Sequence, residues 1–458
     1  MHYSERKITG WGNYPWVESK VYVPRTSDEL KNILEQETSV INRGLGRSYG
    51  DQAVNKHAGV LSVQKQNHFL AFNESTGMLV CEAGVSLAEI IKVFAPRGWF
   101  PMINPGTKYV TIGGAIANDI HGKAHHVDGS FANCVESFTI LLADGRIVSA
   151  SRDENADLFW ANFGGLGLLG SILTASIRLR KIETTYFKQK AIKVNNLDEL
   201  LDAIDQYDQQ YDYSVAWVDS LATGKRLGRG VLTTGNAAKL ADLPAKLAKN
   251  PLYTTPNPKI NLPFYVPGFA LNTFTVSILN KILETVQSGA GDFAHYEKFF
   301  FPLDAINNWN RGYGKKGFIQ YQFVVPEEGG RKSISDILKV IAKSGNSPFL
   351  NVLKKFGKGQ SQSMLSFPMK GYTFAIDFPV RQSLRELTDT LDRMVVDRGG
   401  RIYLGKDAML RDLNLFKKMY PRWEEWARIK QTYDPENKYS SNLSKRLNLE
   451  SLGAKVAI

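Results

Sequence analysis

Cysteine and long apolar runs are both scarce in this sequence. Its 458 residues include two cysteines, Cys81 and Cys134, too few for a disulfide framework or a thiolate zinc site. No segment reaches the roughly 18 consecutive apolar residues that a membrane-spanning helix needs. The N-terminal stretch MHYSERKITGWGNYP is charged and has no apolar core typical of a secretion signal. We therefore expect a cytoplasmic protein, with a peripheral position at the membrane or cell envelope left open.

Charge of one sign is in moderate excess. Lys and Arg outnumber Asp and Glu by 57 to 45, which gives a net charge of +12. This balance favours an anionic partner such as a phosphate, an acidic lipid or a nucleic acid. Hydrophobic residues make up 43% and charged residues 22% of the chain, which is typical of a globular protein and excludes general disorder. The length predicts two domains.

Short strands and glycine turns alternate over roughly the first 180 residues. Ser86 and Glu89 form a capping-box pattern at the start of a helix that Gly98 would end. Asp144-Gly145 predicts a hairpin turn between two strands. The predicted strands and helices of this part are strands at 60–63, 78–83, 137–151 (two) and 171–183, and helices at 86–98 and 153–165.

The middle of the chain is richer in aromatic residues. A helix over 196–207 and an aromatic strand over 212–219 precede a stretch of about 235–290, which we expect to be irregular and mobile. Aromatic strands at 293–303, 317–326 and 371–380 then alternate with helices at 333–345 and 383–400. This order predicts an antiparallel sheet covered by helices, followed by a tail of small helices.

The first chemical motif is the glycine-rich segment 43–51, RGLGRSYGD. Its glycines allow backbone N–H groups to approach a pyrophosphate closely. The segment lacks the Lys-Ser/Thr pair of a nucleotide-hydrolase P-loop. On its own, such a segment is more often only a turn.

The second motif, residues 104–126, holds three of the seven histidines. His121 and His125 have the i, i+4 spacing of a metal pair, but the glycines at 113, 114 and 122 disfavour a helix that would hold it. We therefore predict no metal. The small residues from Gly113 to Ala117 suit close packing against a flat ligand.

The third motif, GGLGLLG at 164–170, contains G-x-G-x-x-G. A helical pattern precedes it and an alternating strand follows, the reverse of a nicotinamide-binding unit. No acidic residue ends a strand about 20 residues later. We reject a nicotinamide site here.

Together, in this order, the three motifs resemble the FAD-binding domain of the vanillyl-alcohol-oxidase-type flavoproteins, and within them the polyprenylphosphoryl-ribose oxidases. The resemblance continues through YSVAWVD, GFIQYQFVVP, DFPV and MYPRWEEW, so it covers nearly the whole chain. It implies an α+β, two-domain FAD-binding fold with an antiparallel substrate domain. The implied division is an FAD-binding domain at 1–184, a substrate-binding domain at 185–400, and a segment at 401–458 that rejoins the first.

The resemblance also implies FAD as cofactor. Many relatives attach it covalently through a His just before the loop serine; here that residue is Arg47, so we expect non-covalent FAD. The implied cofactor-binding residues are Gly44, Leu45, Gly46, Arg47, Ser48, Tyr49, Gly106, Thr107, Thr111, Gly113, Gly114, Ala117, Asn118, His121, Gly122, Ile172 and Tyr403.

The implied reaction is oxidation of the C2′ hydroxyl of a polyprenylphosphoryl ribose, with hydride transfer to flavin N5. The implied catalytic residues are Lys406, His121 and Tyr49, and the sequence leaves open which of them is the base. The implied substrate-binding residues are Lys123, Trp217, Tyr313, Gln320, Gln322, Lys354, Phe356, Ala375 and Tyr403. Taken without the resemblance, Lys406 reads as a surface lysine, and Trp217 and Phe356 read as core residues.

Two positions depart from the mycobacterial pattern of this family. Ala375 stands where a Cys is usual, the residue attacked by nitro-aromatic covalent inhibitors, and Thr373 stands where an Asn is common. We therefore expect insensitivity to covalent trapping.

The expected partners are the polyprenylphosphoryl pentose, an NAD(P)H-dependent short-chain reductase for the keto product, and an acidic membrane surface. Basic residues flank the middle stretch and could face such a surface: Lys225, Arg226, Lys239, Lys246 and Lys249. An FAD-dependent alditol, sugar or aldonolactone oxidase is the alternative function. A non-catalytic basic binding protein is the second alternative, although the basic residues form no tract typical of nucleic-acid binding.

Overall fold

The computed structural model describes residues 2–219, 221–254, 260–270, 272–346 and 348–454. A small mixed sheet opens the chain, with strand order β1-β2-β4-β3. β4 pairs in parallel with both β2 and β3, and β1 pairs antiparallel with β2. The strands are Ser4–Ile8 (β1), Val17–Tyr22 (β2), Val40–Arg43 (β3) and Gly59–Ser62 (β4). The first glycine motif therefore begins at the end of β3 and forms the crossing to β4.

A six-stranded antiparallel sheet follows, with order β5-β6-β10-β8-β9 and β7 paired to β10. Its hairpin between β8 and β9 turns at Asp144-Gly145, with Gly145 at φ +84°, as the sequence predicts. The strands are Phe69–Asn73 (β5), Met78–Glu82 (β6), Trp99–Pro101 (β7), Val135–Leu141 (β8), Ile147–Ser151 (β9) and Ser171–Lys181 (β10).

An eight-stranded sheet dominates the second half, with order β15-β11-β13-β12-β18-β19-β17-β20. Neighbouring strands are antiparallel, which confirms the predicted antiparallel sheet. β14 and β16 form a separate two-stranded pair. The strands are Tyr186–Val194 (β11), Tyr213–Val218 (β12), Gly230–Ala237 (β13), Ile260–Asn261 (β14), Phe293–His295 (β15), Ile306–Asn307 (β16), Phe318–Pro326 (β17), Asn351–Phe356 (β18), Gly371–Pro379 (β19) and Arg401–Ile402 (β20).

Helices cover the sheets and their starts are set by local capping. Ser86 and Glu89 form the predicted capping box on α2, which ends in a short 3-10 turn before Gly98. The helices are Ser27–Gln36 (α1), Leu87–Phe94 (α2), Ile112–Ala117 (α3), His125–Asp128 (α4), Ala156–Asn162 (α5), Leu197–Tyr207 (α6), Ala245–Ala248 (α7), Thr273–Ser288 (α8), Tyr296–Phe300 (α9), Gly330–Lys343 (α10), Leu384–Asp397 (α11), Leu413–Met419 (α12), Trp423–Tyr433 (α13), Asn442–Arg446 (α14) and Ser451–Ala454 (α15). In the described residues no helix has the length and apolarity to cross a bilayer.

Two predictions about the middle of the chain are wrong. The stretch 235–290, expected to be irregular, ends in the 16-residue helix α8, which Asn272 caps by accepting hydrogen bonds from the N–H groups of residues 274 and 275. The stretch 293–303, expected to be a strand, holds β15 and then helix α9. Its Phe299, Phe300 and Phe301 pack in an aromatic cluster rather than along a pleated strand. Residues 255–259, inside the first stretch, lie outside the described residues.

The C-terminal segment packs back on the first sheet. Tyr439 forms a parallel bridge with Val40 of β3. Arg446 of α14 forms ion pairs with Asp51, in the first glycine motif, and with Asp407. The chain thus returns to the loop from which its first chemical motif is built.

Candidate active site

Two glycine loops pack directly against each other at one side of a cavity. A Cβ on Gly44 would lie 2.3 Å from the Thr111 hydroxyl oxygen, and Gly46 has φ +65°. Thr111 caps α3, its side chain accepting a hydrogen bond from the Gly114 N–H at 3.3 Å. The glycines are therefore required by close approach and backbone conformation, not only by flexibility.

The loop 105–107 is held from the other half of the molecule. The Thr107 hydroxyl donates to Asp304 at 2.7 Å, and the Lys108 N–H donates to the second oxygen of Asp304 at 2.9 Å. A Cβ on Gly106 would meet no protein atom within 4 Å. Gly106 thus presents bare backbone to the cavity.

This cavity brings together most of the residues that the sequence predicts. All three predicted catalytic residues, Lys406, His121 and Tyr49, line it. The other predicted residues along its wall are Gly44, Leu45, Gly46, Arg47, Ser48, Gly106, Thr107, Thr111, Gly113, Gly114, Ala117, Asn118, Ile172, Gln320, Gln322, Lys354, Ala375 and Tyr403. Gly167 and Gly170 of the third motif also line it.

Five predicted residues lie behind this wall instead: Gly122, Lys123, Trp217, Tyr313 and Phe356. A Cβ on Gly122 would lie 2.4 Å from the Asn104 carbonyl oxygen, so this glycine serves packing. The Lys123 ammonium donates to the Phe299 carbonyl.

The three aromatic residues of this group are buried beside wall residues. Trp217 is buried on β12, in register with Val352 of β18. Phe356 packs against His121, with ring centroids 4.8 Å apart. The Tyr313 hydroxyl donates to Asp377 at 3.0 Å. These side chains position the wall rather than form it.

Lys406 belongs to a buried polar network at one end of the cavity. Its ammonium donates to the Gln320 side-chain oxygen, and the Gln320 amide donates to Asp377 at 2.6 Å. The ammonium lies 5.2 Å from the Tyr49 ring centroid. Desolvation lowers the pKa of Lys406 to about 8, opposed by the charge of Asp377, and desolvation raises the pKa of Asp377 to about 6.

Aromatic side chains surround His121. Its ring contacts Phe356, Phe367 and Tyr403, with centroids 4.8, 5.6 and 5.1 Å away. Its Nε2 lies 3.1 Å from the Gln322 amide nitrogen, a hydrogen bond in which the neutral ring accepts. Burial and the nearby Lys354 hold the pKa of His121 well below its usual range. His121 is therefore neutral at pH 7.

Two further lysines are desolvated near this end. Burial lowers the pKa of Lys123 to about 7, and burial together with the charges of Lys406 and Lys123 lowers that of Lys354 to about 7. Lys354 extends its ammonium toward the Gly122 carbonyl, 3.5 Å away. This end of the cavity therefore attracts anionic groups.

Sequence reasoning missed several residues of the site. Trp11, Tyr109 and Trp309 line the cavity. The Arg47 guanidinium lies 3.8 Å from the Trp11 ring centroid and 5.0 Å from that of Tyr109. Two acidic residues were missed as well: Asp377 accepts from Gln320, and Asp304 accepts from Thr107 and Lys108. Asp377 stands two residues after Ala375 on β19, and this same-face spacing was a signal in the sequence.

The cavity fits FAD. Glycine backbone lines the side where a pyrophosphate would bind, with no protein atom filling the space beside Gly106. Buried polar atoms around it have no hydrogen-bond partner in the described part of the chain: Arg47 Nε, Gln52 Oε1, His121 Nδ1 and Gln322 Oε1. Such atoms need a partner that a polar cofactor or substrate supplies. When bound, FAD accepts a hydride from an alcohol carbon.

Comparison with known proteins agrees with this geometry. Residues 19–151 match the FAD binding domain family. Decaprenylphosphoryl-β-D-ribose oxidase of Mycolicibacterium smegmatis is 39% identical over 457 residues, covering 97% of this chain and 98% of that protein. Carbohydrate oxidase of Microdochium nivale is 35% identical over 33% of each chain. L-gulonolactone oxidase of Mus musculus is 28% identical over 42% of this chain and 43% of that protein.

The fold and the site thus define an FAD-dependent oxidoreductase of the vanillyl-alcohol-oxidase type. Within that class, the chain belongs to the family of decaprenylphosphoryl-β-D-ribose oxidase. This assignment also sets aside the alternative of a non-catalytic basic binding protein.

Proposed function

We propose that this protein oxidises the C2′ hydroxyl of a polyprenylphosphoryl-β-D-ribose to the 2′-keto sugar, the first half of 2′-epimerisation to an arabinose donor. The observation that supports this most directly is the network of Lys406, Gln320 and Asp377 at the cationic end of a cavity lined by flavin-type glycine loops. Similarity to the mycobacterial enzyme over 97% of this chain supports the same substrate class.

Lys406 is the group that we propose to take the hydroxyl proton. Its pKa of about 8 leaves a substantial neutral fraction near pH 7 to 8, which suits a general base. The pKa of Tyr49 is raised well above its usual range by burial, so its phenol stays protonated. His121 is neutral and engaged with Gln322, so it orients that amide.

Binding and orientation of the sugar fall to the amides and lysines. Gln320 and Gln322 lie two apart on β17 and both face the cavity, opposite Asp377 and Ala375 of β19 in the register. Their side chains can hold sugar hydroxyls, and Lys354 lies on the same wall as a cation for the phosphate. The neighbouring Leu350 and Val352 exclude water from this wall.

The substrate can be tested by anaerobic reduction of the bound flavin. A short-chain polyprenylphosphoryl ribose should bleach the flavin absorbance fully, whereas alditols and aldonolactones should not. Faster bleaching by an alditol or an aldonolactone would favour the second candidate, which the partial similarity to carbohydrate and gulonolactone oxidases supports. Protein denatured in acid should release free flavin, because Arg47 offers no nucleophile for a covalent link; flavin retained on the polypeptide would contradict non-covalent binding.

The proposed product needs a second enzyme. A 2′-keto sugar becomes the epimer only when hydride is returned from the opposite face, so an NAD(P)H-dependent short-chain reductase is the proposed partner. Adding such a reductase with NADH to the oxidation reaction should convert the 2′-keto product to the arabinose epimer, which chromatography of the released sugars would detect.

A further inference from the structure

Helix α8, Thr273–Ser288, carries on its outer face an apolar stripe that no described part of the chain covers. Phe274, Ile278, Ile282 and Val286 are 73%, 46%, 52% and 66% exposed. They recur every four residues, so they lie along one side of the helix over about 18 Å. Four large apolar side chains in one row differ from the scattered exposed hydrophobic residues normal on a protein surface.

The opposite face of α8 is fixed to the eight-stranded sheet. Val276 is buried, the Asn280 amide donates to Asp219 at 2.6 Å, and Glu284 pairs with Lys193 of β11 at 2.8 Å. These ties set the rotation of the helix about its axis. The apolar stripe is therefore held outward and is not free to turn inward.

The charges around the stripe are basic. Lys281 is exposed between Ile278 and Ile282. Asp219, which accepts from Asn280, also pairs with Arg229, and the turn between them carries exposed Lys225 and Arg226. The one acidic residue of α8, Glu284, is neutralised by Lys193. Lys239, Lys246 and Lys249, the other basic residues predicted to face a membrane, are exposed earlier in the same segment.

The stripe is connected to the cavity through the preceding chain. Residues 260 and 261 pair with 306 and 307, and the Val266 N–H donates to the Arg311 carbonyl at 3.0 Å. Trp309, within the paired segment, lines the cavity. Ile260 and Phe264 are each 60% exposed, so the segment that pairs with residues 306 and 307 also carries exposed apolar side chains.

We propose that this surface, formed by Phe264, α8 and the turn 224–226, docks on an anionic lipid bilayer. The inference rests on the proposed function, because a polyprenyl chain keeps the substrate in a membrane and the enzyme must meet it there. An apolar row flanked by cations matches the acyl boundary and the anionic headgroups of such a surface. A two-fold dimer through the same face would bring Lys281 and its neighbouring cations close to the same cations of the second copy. The repulsion between these like charges disfavours a second copy as the occupant.

Co-sedimentation of the flavin-loaded protein with vesicles tests the proposal. Vesicles of phosphatidylcholine with about one third phosphatidylglycerol should bind the protein, and pure phosphatidylcholine should bind it much less. The triple variant Phe274→Gln, Ile278→Gln, Ile282→Gln should partition at least about 100-fold less, given the apolar area that it removes. The matched control Leu70→Gln, Val93→Gln, Ile147→Gln changes three exposed apolar residues elsewhere and should bind as the parent does.

The outcomes separate the possible occupants. Unchanged vesicle binding by the triple variant would overturn the proposal, as would no binding by the parent. A dimer of the parent in sedimentation velocity that the triple variant loses, without vesicle binding by either, would assign the face to a second copy and overturn it too.

The triple variant must keep the flavin absorbance, the melting temperature and the bleaching rate with a short-chain detergent-solubilised substrate. If the parent binds vesicles but the polyprenylphosphoryl ribose does not bleach its flavin, the proposed function alone is refuted. If the substrate bleaches the flavin of the parent but the parent does not bind vesicles, the docking surface alone is refuted.

Discussion

At the scale of single residues, the surroundings of Lys406 determine its pKa. An ammonium beside a carboxylate would ordinarily have a raised pKa, yet the desolvation of Lys406 outweighs Asp377 and the net shift is downward. Gln320 stands between the two groups and bonds both. The lysine is thus poised to exchange a proton near physiological pH.

Lys406→Met should lower the rate of flavin reduction by at least about 100-fold with FAD still bound, because the proposed proton acceptor is removed. In the parent the rate should rise about tenfold per pH unit below about 8 and level off above it, since neutral Lys406 is the proposed base. Stopped-flow bleaching across pH measures both. Lys358→Met, at an exposed lysine, is the control. A rate that falls as pH rises through 8 would show that the charged form is required.

Ala375 carries the second residue-scale prediction. It lines the cavity and pairs in register with Gln322 and Val352. With no thiol there, a nitro-aromatic inhibitor of the mycobacterial enzymes should leave the intact mass of the reduced protein unchanged. Ala375→Cys should restore a covalent adduct. An adduct on the parent protein would contradict the prediction.

The site also shows what single residues in the sequence conceal. Tyr49 and His121 were predictable as candidates because they lie in the first and second motifs, whereas Lys406 was a candidate only through the family resemblance. Trp309 and Asp304 were not, since neither belongs to a motif and each reaches the site through packing between distant segments. The placement of Lys123, Tyr313 and Phe356 behind the wall depends on side-chain direction, which residue types alone do not fix.

At the scale of elements, capping and turn signals were the reliable guides. The capping box at Ser86 and Glu89 and the turn at Asp144-Gly145 are local, so the sequence predicts them well. Helix α8 was not predicted because apolar residues lie on its outer face as well as its inner face. The sequence therefore lacks the single apolar face by which a helix is recognised. The stretch 293–303 was misread because its aromatic residues favour strands by propensity, while cluster packing fixed α9.

Gly106→Ala tests the cofactor loop. A methyl group there meets no protein atom, so the fold should tolerate it, yet it would occupy space facing the cavity. We expect the melting temperature of the FAD-free protein to stay the same and the Kd for FAD to rise about tenfold or more, from overpacking. Gly291→Ala, at a glycine with equally open surroundings away from the cavity, should change neither quantity. Fluorescence titration measures the Kd for FAD. An unchanged Kd in Gly106→Ala would contradict the assignment of this loop to cofactor binding.

At the scale of the whole molecule, the three larger sheets form the framework of the proposed domains. We propose the division into an FAD-binding domain at 1–184, a substrate-binding domain at 185–400 and a returning segment at 401–458. The separate sheets before and after residue 184 support it, as do the contacts of Tyr439 and Arg446 with the first part. β20, at Arg401–Ile402, still pairs with β17, so the last boundary falls at a strand of the eight-stranded sheet.

Arg446→Met tests how the returning segment is held. Arg446 is nearly buried between Asp51 and Asp407, whose side chains are 5% and 4% exposed. Removing the cation leaves two buried carboxylates unpaired, which should cost about 3–5 kcal/mol of stability. Thermal unfolding followed by flavin fluorescence should show a clearly lower midpoint, with Arg428→Met, at an exposed arginine of α13, near the parent. Equal midpoints for the two variants would contradict this role.

The contact of Asp304 with Thr107 and Lys108 has a thermodynamic corollary. One carboxylate joins the loop proposed to hold the cofactor to the chain that runs toward Trp309 and the end of the cavity proposed to bind the sugar, called the sugar end. Any ligand that stabilises this junction from one side lowers the free energy needed to order it from the other. By reciprocity, occupancy of the sugar end must tighten cofactor binding by the same factor that the cofactor tightens the sugar.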